Sequence, residues 1–205
     1  YVALAIDAAG HGQSGFAYRS KEDFLPPVDF SEPRATLLYQ VYLSTVRAIS
    51  VLDGMPEVDD ERIAVTGVSM GGLASFAAAY LDQRVDAAAP IIASGPLSYM
   101  IQCGGVANAL VRPGIELESG YSGFVDPIYL ADGDETPIYV VHTTHDEFFP
   151  LEGLLETIRR HGGEIRVFLI PNTRHTVRSP DETFEDVLTF FEEVFEDKLS
   201  RDKRV

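Results

Sequence analysis

Short apolar runs that end in Gly-rich turns alternate along this chain with longer stretches in which apolar residues recur at helical spacing. Residues 1–6 form an apolar run that stops at Asp7 and the Gly-rich stretch 9–15, the pattern of a buried strand entering a tight loop. Residues 16–30 read as a polar, Pro-containing loop. Ser31, with Pro33 in the first turn, predicts a helix whose apolar face is Leu38, Val41, Tyr42, Ile49 and Leu52. Gly54 and Pro56 end it. Residues 62–66 predict a second buried strand, 67–72 a turn, the Ala-rich segment 73–81 a helix, and 85–92 a third strand stopping at Ser94, Gly95 and Pro96.

Between residues 97 and 135 the periodicity fades and Gly, Pro and Tyr accumulate, as in an excursion over the rim of a sheet. A fourth strand, 138–141, leads to His142, His145 and Asp146, and a helix from about 150 to 161 stops at Gly162 and Gly163. A fifth strand, 165–170, runs to Pro171 and His175. The last helix opens at Ser179 and Pro180, with Asp181 and Glu182 in its first turn. Its apolar stripe is Phe184, Val187, Leu188, Phe191, Val194 and Phe195. Alternating strands and helices predict an α/β fold. The expectation is one domain over residues 1–205, with a mostly parallel sheet of about five to six strands and helices on both faces.

Composition narrows the partners. With 205 residues, 45% hydrophobic and 23% charged, the chain has the makeup of a globular domain. No apolar run reaches the roughly 18 residues of a membrane helix. A net charge of −16 disfavours nucleic acid or an anionic membrane as a partner. Cys103 is the single cysteine, which excludes an intrachain disulfide and a zinc–cysteine site. The chain opens on an apolar run with no basic lead and no Met, so residue 1 reads as a truncation or processing point, and the compartment is not legible.

The chemistry starts at Gly67-Val68-Ser69-Met70-Gly71, a G-x-S-x-G pattern placed between a predicted strand and a predicted helix. A strand that reverses sharply into a helix strains the serine and pushes its hydroxyl into the open; flanking glycines let neighbouring backbone pass. The Met70 amide, at the helix start, then points at a developing oxyanion. A serine hydroxyl needs a base, and the base an orienting carboxylate. Asp146 and His175 both lie just past strand ends, where an open parallel sheet builds its ligand site.

Rival side chains fit less well. His161 ends a helix, where a cation suits the dipole. His142 falls within or at the edge of a strand, and His145 should point away from the site. As a metal pair, His142 and His145 lack a third ligand at suitable spacing. Asp126, Asp132 and Asp134 read as solvated loop carboxylates, which leaves Glu147, next to Asp146, as the serious rival acid.

These motifs resemble the α/β-hydrolase superfamily. Residues 7–14, Asp-Ala-Ala-Gly-His-Gly-Gln-Ser, are similar to the D-x-x-G-x-G-x-S stretch after that fold's fourth strand, and 67–72 to its nucleophile elbow. Residues 144–150 are similar to its acid-bearing G-x-x-D-x-x-x-P segment, departing from it in the spacing of the first glycine, and 171–175 to its histidine loop. The style is nearest to the prolyl-oligopeptidase-like, dienelactone-hydrolase-like and acetyl-xylan-esterase-like branches. Dienelactone hydrolases carry cysteine at the elbow, so Ser69 argues against that reaction. The resemblance implies Ser69 as nucleophile, His175 as base and Asp146 as its orienter.

The resemblance covers the chain but only the C-terminal two-thirds of the family fold, whose sheet runs 1-2-4-3-5-6-7-8. On that pattern residues 1–6 are the fourth strand, and the third strand and the loop that supplies a second oxyanion donor are missing. A partner chain or homodimer is then expected to complete the sheet beside residues 1–6; the alternative is that residues 1–6 pair directly with the elbow strand in a minimal fold with weak activity. The leading function is carboxylic-ester hydrolysis without metal or organic cofactor; the alternatives are a prolyl-oligopeptidase-type serine peptidase and a non-catalytic binding protein. Phe148 and Tyr121 are candidate substrate contacts. With Tyr99, Met100, Phe124, Tyr129 and Phe149 they read equally as filling under the loops.

Overall fold

Four of the predicted strands line up side by side and in parallel. In the computed structural model, which describes residues 1–14, 34, 36–102, 125–131 and 133–202, β1 (Ile63–Val68), β2 (Val85–Ile91), β3 (Ile138–Thr143) and β4 (Ile165–Ile170) form one all-parallel sheet in the order β1-β2-β3-β4. Six helices accompany them among the described residues: α1 (Leu37–Asp53), α2 (Met70–Leu81), α3 (Leu97–Gln102), α4 (Pro127–Leu130), α5 (Leu151–Arg160) and α6 (Pro180–Asp202).

Side-chain alternation along the strands sends neighbours to opposite faces. On β3, Ile138 and Val140 pack with Ile49 of α1, Phe76 of α2 and Leu154 of α5. Val141 packs instead with Val187, Phe190, Phe191 and Phe195 of α6. Helices therefore cover both faces, as the alternation of elements predicts. α2 is Ala-rich because it lies close against β1 and β2: Ala74, Ala77, Ala78 and Ala79 are all buried.

The helix starts differ from expectation in two places. α1 begins at Leu37, where the Thr36 side chain accepts from the Tyr39 N–H at 3.3 Å and caps the first turn. Ser31 and Pro33 lie outside the described residues. α2 begins at Met70, three residues earlier than predicted, since the chain turns into the helix at Ser69 itself.

The largest correction is at the N-terminus. Residues 1–6 form no strand and are exposed, Tyr1 by 77%. A strand exists through the ladder it shares with a neighbour, and among the described residues β1 has no partner on its outer side. Residues 1–6 and β1 instead both line an apolar slot of about 550 Å³, walled also by Val41 and Ile49 of α1, Ala74 of α2, and Leu188 and Phe191 of α6. Among the described residues the sheet has four strands rather than five or six. The slot also explains a second difference. Leu188, expected in the core, is 45% exposed because it faces this space, and Phe184 is 41% exposed beside Ser69; the buried stripe of α6 is Val187, Phe190, Phe191 and Phe195.

Candidate active site

Ser69 joins β1 to α2 with φ 57° and ψ −113°, a left-handed conformation that costs a non-glycine residue on the order of 1–3 kcal/mol. Close packing holds it there. Its N–H donates to Ile91 O at 2.8 Å, so the turn is hydrogen-bonded across to β2. A Cβ on Gly67 would lie 2.7 Å from the backbone of Gly71, and one on Gly72 2.7 Å from the Ala93 Cβ. Gly71 itself has open space where its Cβ would be. The glycines that permit the tight turn are thus 67 and 72, a correction to the symmetric role expected for 67 and 71. Met70 is the first residue of α2, and its N–H therefore has no acceptor within the helix.

His175 comes from the loop after β4. Its Nε2 is 2.8 Å from Ser69 Oγ, and its Nδ1 is 3.0 Å and 2.9 Å from Asp146 Oδ1 and Oδ2. Carboxylate oxygens accept, so Nδ1 carries the proton in this arrangement and Nε2 is left to accept from the serine hydroxyl. Three side chains from three separate strand ends thus form one hydrogen-bonded chain. The Asp146 side chain is shielded from solvent, and its Oδ1 also accepts from the Phe148 and Phe149 N–H groups at 2.8 Å and 2.9 Å.

The rival acid Glu147 has a different place: its Oε2 accepts from the backbone N–H of His175 at 2.9 Å. The acid and histidine loops are stitched together further by His145 N–H to Thr173 O at 3.1 Å, Thr144 N–H to Ile170 O at 3.1 Å and Asn172 N–H to Thr144 Oγ1 at 2.9 Å. The rings of Phe148 and Phe149 lie 4.6 Å and 5.7 Å from the His175 ring, centroid to centroid, and limit its rotation. Phe148 therefore adjoins the imidazole, whereas Tyr121 and Phe124 lie outside the described residues. Tyr99 and Tyr129 touch none of these groups in the hydrogen bonds or ring contacts that tie the site together, and Met100 packs in the core with Leu97 and Val125.

The other histidines are accounted for locally. His142 is fully buried in β3, where its Nε2–H donates to Phe149 O at 2.9 Å; burial pushes its pKa down, with Asp146 opposing. It supports the acid loop from below. His145 is exposed, with Nδ1 2.8 Å from Thr144 Oγ1. His161 caps the C-terminus of α5, but burial pushes its pKa down, which disfavours the cation expected from the helix dipole. Asp126 also departs from expectation. It is 1% exposed rather than solvated, and it accepts from Leu97 N–H at 2.6 Å and Ile128 N–H at 3.3 Å while capping α4. Burial pushes its pKa up to about 7. Asp134 accepts from Thr136 N–H at 2.8 Å, and Asp132 lies outside the described residues. Sequence reasoning missed the Glu147–His175 tie and the support from His142, because neither has a spacing that marks it.

Comparison with known proteins gives the same fold. Residues 29–94 match the family model described as acetyl xylan esterase, and residues 120–201 the one described as PhoPQ-activated pathogenicity-related protein. An acetyl xylan esterase from Thermoanaerobacterium sp. is similar in structure with a TM-score of 0.74 at 20% identity, covering 91% of this chain and 64% of that one. One from Paenibacillus sp. gives 0.71 at 23%, covering 91% and 60%. The acylaminoacyl peptidase of Pyrococcus horikoshii gives 0.59 at 18%, covering 77% of this chain and 27% of that one. Among curated proteins no match is found. This chain spans less than two thirds of the length of either esterase, and over that span it has their α/β-hydrolase fold.

Proposed function

We propose that this chain, an α/β-hydrolase by fold, works as a serine hydrolase that cleaves carboxylic esters. The observation that carries the reading is the chain of hydrogen bonds from Ser69 Oγ through His175 to Asp146. In the first half-reaction Ser69 Oγ bonds to the ester carbonyl carbon while its proton passes to His175 Nε2. The Met70 N–H faces the oxyanion, and collapse of the tetrahedral intermediate breaks the bond to the alcohol, which leaves with that proton. Water then repeats the sequence on the acyl-enzyme, releasing the acid and restoring Ser69. Asp146 keeps the imidazole in the required tautomer and stabilises the imidazolium. Phe148 packs against the imidazole and limits its rotation.

Ester hydrolysis ranks above peptide hydrolysis because the esterase structures share more of their length with this chain and superpose more closely than the peptidase does. The test is a fluorophosphonate probe followed by chromogenic esters and a prolyl amide. Labelling that disappears in Ser69→Ala and His175→Ala, with ester turnover exceeding amide turnover, is expected. Absence of labelling in the unmodified chain supports a non-catalytic binding protein instead.

The same reading includes a partner. The slot between residues 1–6 and β1 has apolar walls on both sides, and among the described residues no strand pairs with the outer edge of β1. One added strand, from further polypeptide or a second copy, fits it and brings a second oxyanion donor, worth about 10²–10³ in rate. Full turnover by a monomer of residues 1–205 argues against this part.

A further inference from the structure

Ser69 and His175 both line a recess of about 380 Å³, toward the lower end of the roughly 300–1,000 Å³ of small-molecule sites. Its other walls are apolar: Val68 from the end of β1, Ile91 and Ile92 from the end of β2, and Val177, Pro180 and Phe184 from the stretch leading from His175 into α6. Among the described residues, Thr176 and Thr183 add the hydroxyls. Ile91 and Ile92 are buried at its base, while Val68 and Phe184 are exposed at its mouth.

Ile92 is the unusual member. Its φ is 45°, in the left-handed region, where a β-branched residue is an outlier. The surroundings hold it there. Its N–H donates to Val141 O at 2.7 Å, the preceding Ile91 O accepts from Ser69 N–H, and Gly72 of α2 presses on Ala93 just beyond. Glycine would occupy this backbone without strain. The chain instead carries a branched apolar side chain one hydrogen bond from the backbone of the attacking serine. Strained residues persist where the surrounding structure over-determines them, and they cluster at ligand sites.

We infer that this recess takes an apolar group of the ester larger than the methyl of an acetate, and that Ile92 sets its depth. The inference rests on the ester-hydrolase reading and adds to it the chemical class of the substrate. A methyl group fills little of the recess, and each further buried methylene is worth up to about fourfold in kcat/KM. Among the described residues the lining carries no Asp, Glu, Lys or Arg, which disfavours polar or anionic groups, since they lose hydration there without finding partners.

Two series of chromogenic substrates test this: acyl chains from acetyl to hexanoyl on one alcohol, and acetates of alcohols of increasing apolar size. Each is run on the unmodified chain, on Val177→Phe, which fills the recess, and on Ile92→Ala, which deepens it, with fluorophosphonate labelling of Ser69 in parallel. The expected result is a rise along one series, which identifies whether the acyl or the alcohol group enters. Val177→Phe then lowers the ratio of longest to shortest substrate at least tenfold, and Ile92→Ala moves the optimum to a longer member. Flat profiles in both series from an unmodified chain that still labels overturn the inference and leave the ester-hydrolase reading standing. Absent labelling overturns both. Should neither variant fold, the slopes of the unmodified chain decide.

Discussion

The main-chain N–H of His175 donates to Glu147 Oε2 at 2.9 Å, while the imidazole of the same residue binds the adjacent carboxylate of Asp146. Two consecutive acids therefore fix one histidine at two points, the first its ring and the second its backbone. A ring orientation set by one hydrogen bond alone still pivots; a second anchor removes that freedom.

Replacing Glu147 should separate acceptor from charge. Glu147→Gln keeps an oxygen for the His175 N–H and is expected to retain ester kcat within about threefold. Glu147→Ala is expected to lose about tenfold in kcat with little change in KM, the scale of one charge-assisted hydrogen bond. Steady-state kinetics across pH distinguish the two, and equal losses in both variants would mean that the charge, not the tether, is what counts.

Asp146 carries two duties that two variants pull apart. Asp146→Asn retains an oxygen for the Phe148 and Phe149 N–H groups but presents the wrong partner to His175 Nδ1. Its expected effect is a fall in kcat of about 10⁴ with the urea midpoint nearly unchanged. Asp146→Ala leaves both N–H groups without their acceptor, and should also lower stability by about 1–3 kcal/mol for each group left unpaired in the protein interior. Paired measurements of kcat and urea unfolding check this; an Asn variant that unfolds as readily as the Ala variant contradicts the division.

The two glycines flanking Ser69 at equal distance should respond unequally. A Cβ at Gly67 meets the Gly71 backbone at 2.7 Å, which no side-chain shift relieves, so Gly67→Ala is expected to be severely destabilised or not to fold. Gly71→Ala meets nothing within 4 Å and lies in α2, where alanine is favoured by about 0.5–1 kcal/mol. Thermal denaturation of the two variants provides the comparison. A Gly71→Ala variant as unstable as Gly67→Ala is the contrary result.

Asp126 gives a pH dependence with a definite sign. Burial raises its pKa to about 7, above the value near 4 of an unfolded chain. Between those values the folded protein holds a proton that the unfolded chain has released, so this group's contribution to stability falls as pH rises from about 4 to 7. The effect is at most on the order of 4 kcal/mol, at about 1.4 kcal/mol for each pH unit between the two values. Asp126→Asn should remove that slope, read as the urea midpoint against pH for both proteins. Parallel curves for the two would count against a raised pKa.

Much of this protein is written locally. The strands 63–68, 85–91, 138–143 and 165–170 and the long helices are legible because apolar spacing and Gly or Pro stops act within a few residues. So is the placement of Ser69, Asp146 and His175 just past three strand ends, since each lies within a few residues of the end of an apolar run. What no local pattern holds is distance across the sheet. Parallel pairing of β1 through β4 brings those three ends together, and only this brings Ser69 Oγ within 2.8 Å of His175 Nε2. The same reason explains the misses. Residues 1–6 have a strand's composition but, among the described residues, no strand to pair with, Leu188 has core spacing but faces the slot beside them, and Asp126 has a loop's sequence but caps two segments in the interior. Composition and spacing specify what an element is; whether its hydrogen bonds and apolar faces are satisfied depends on what the rest of the chain puts beside it.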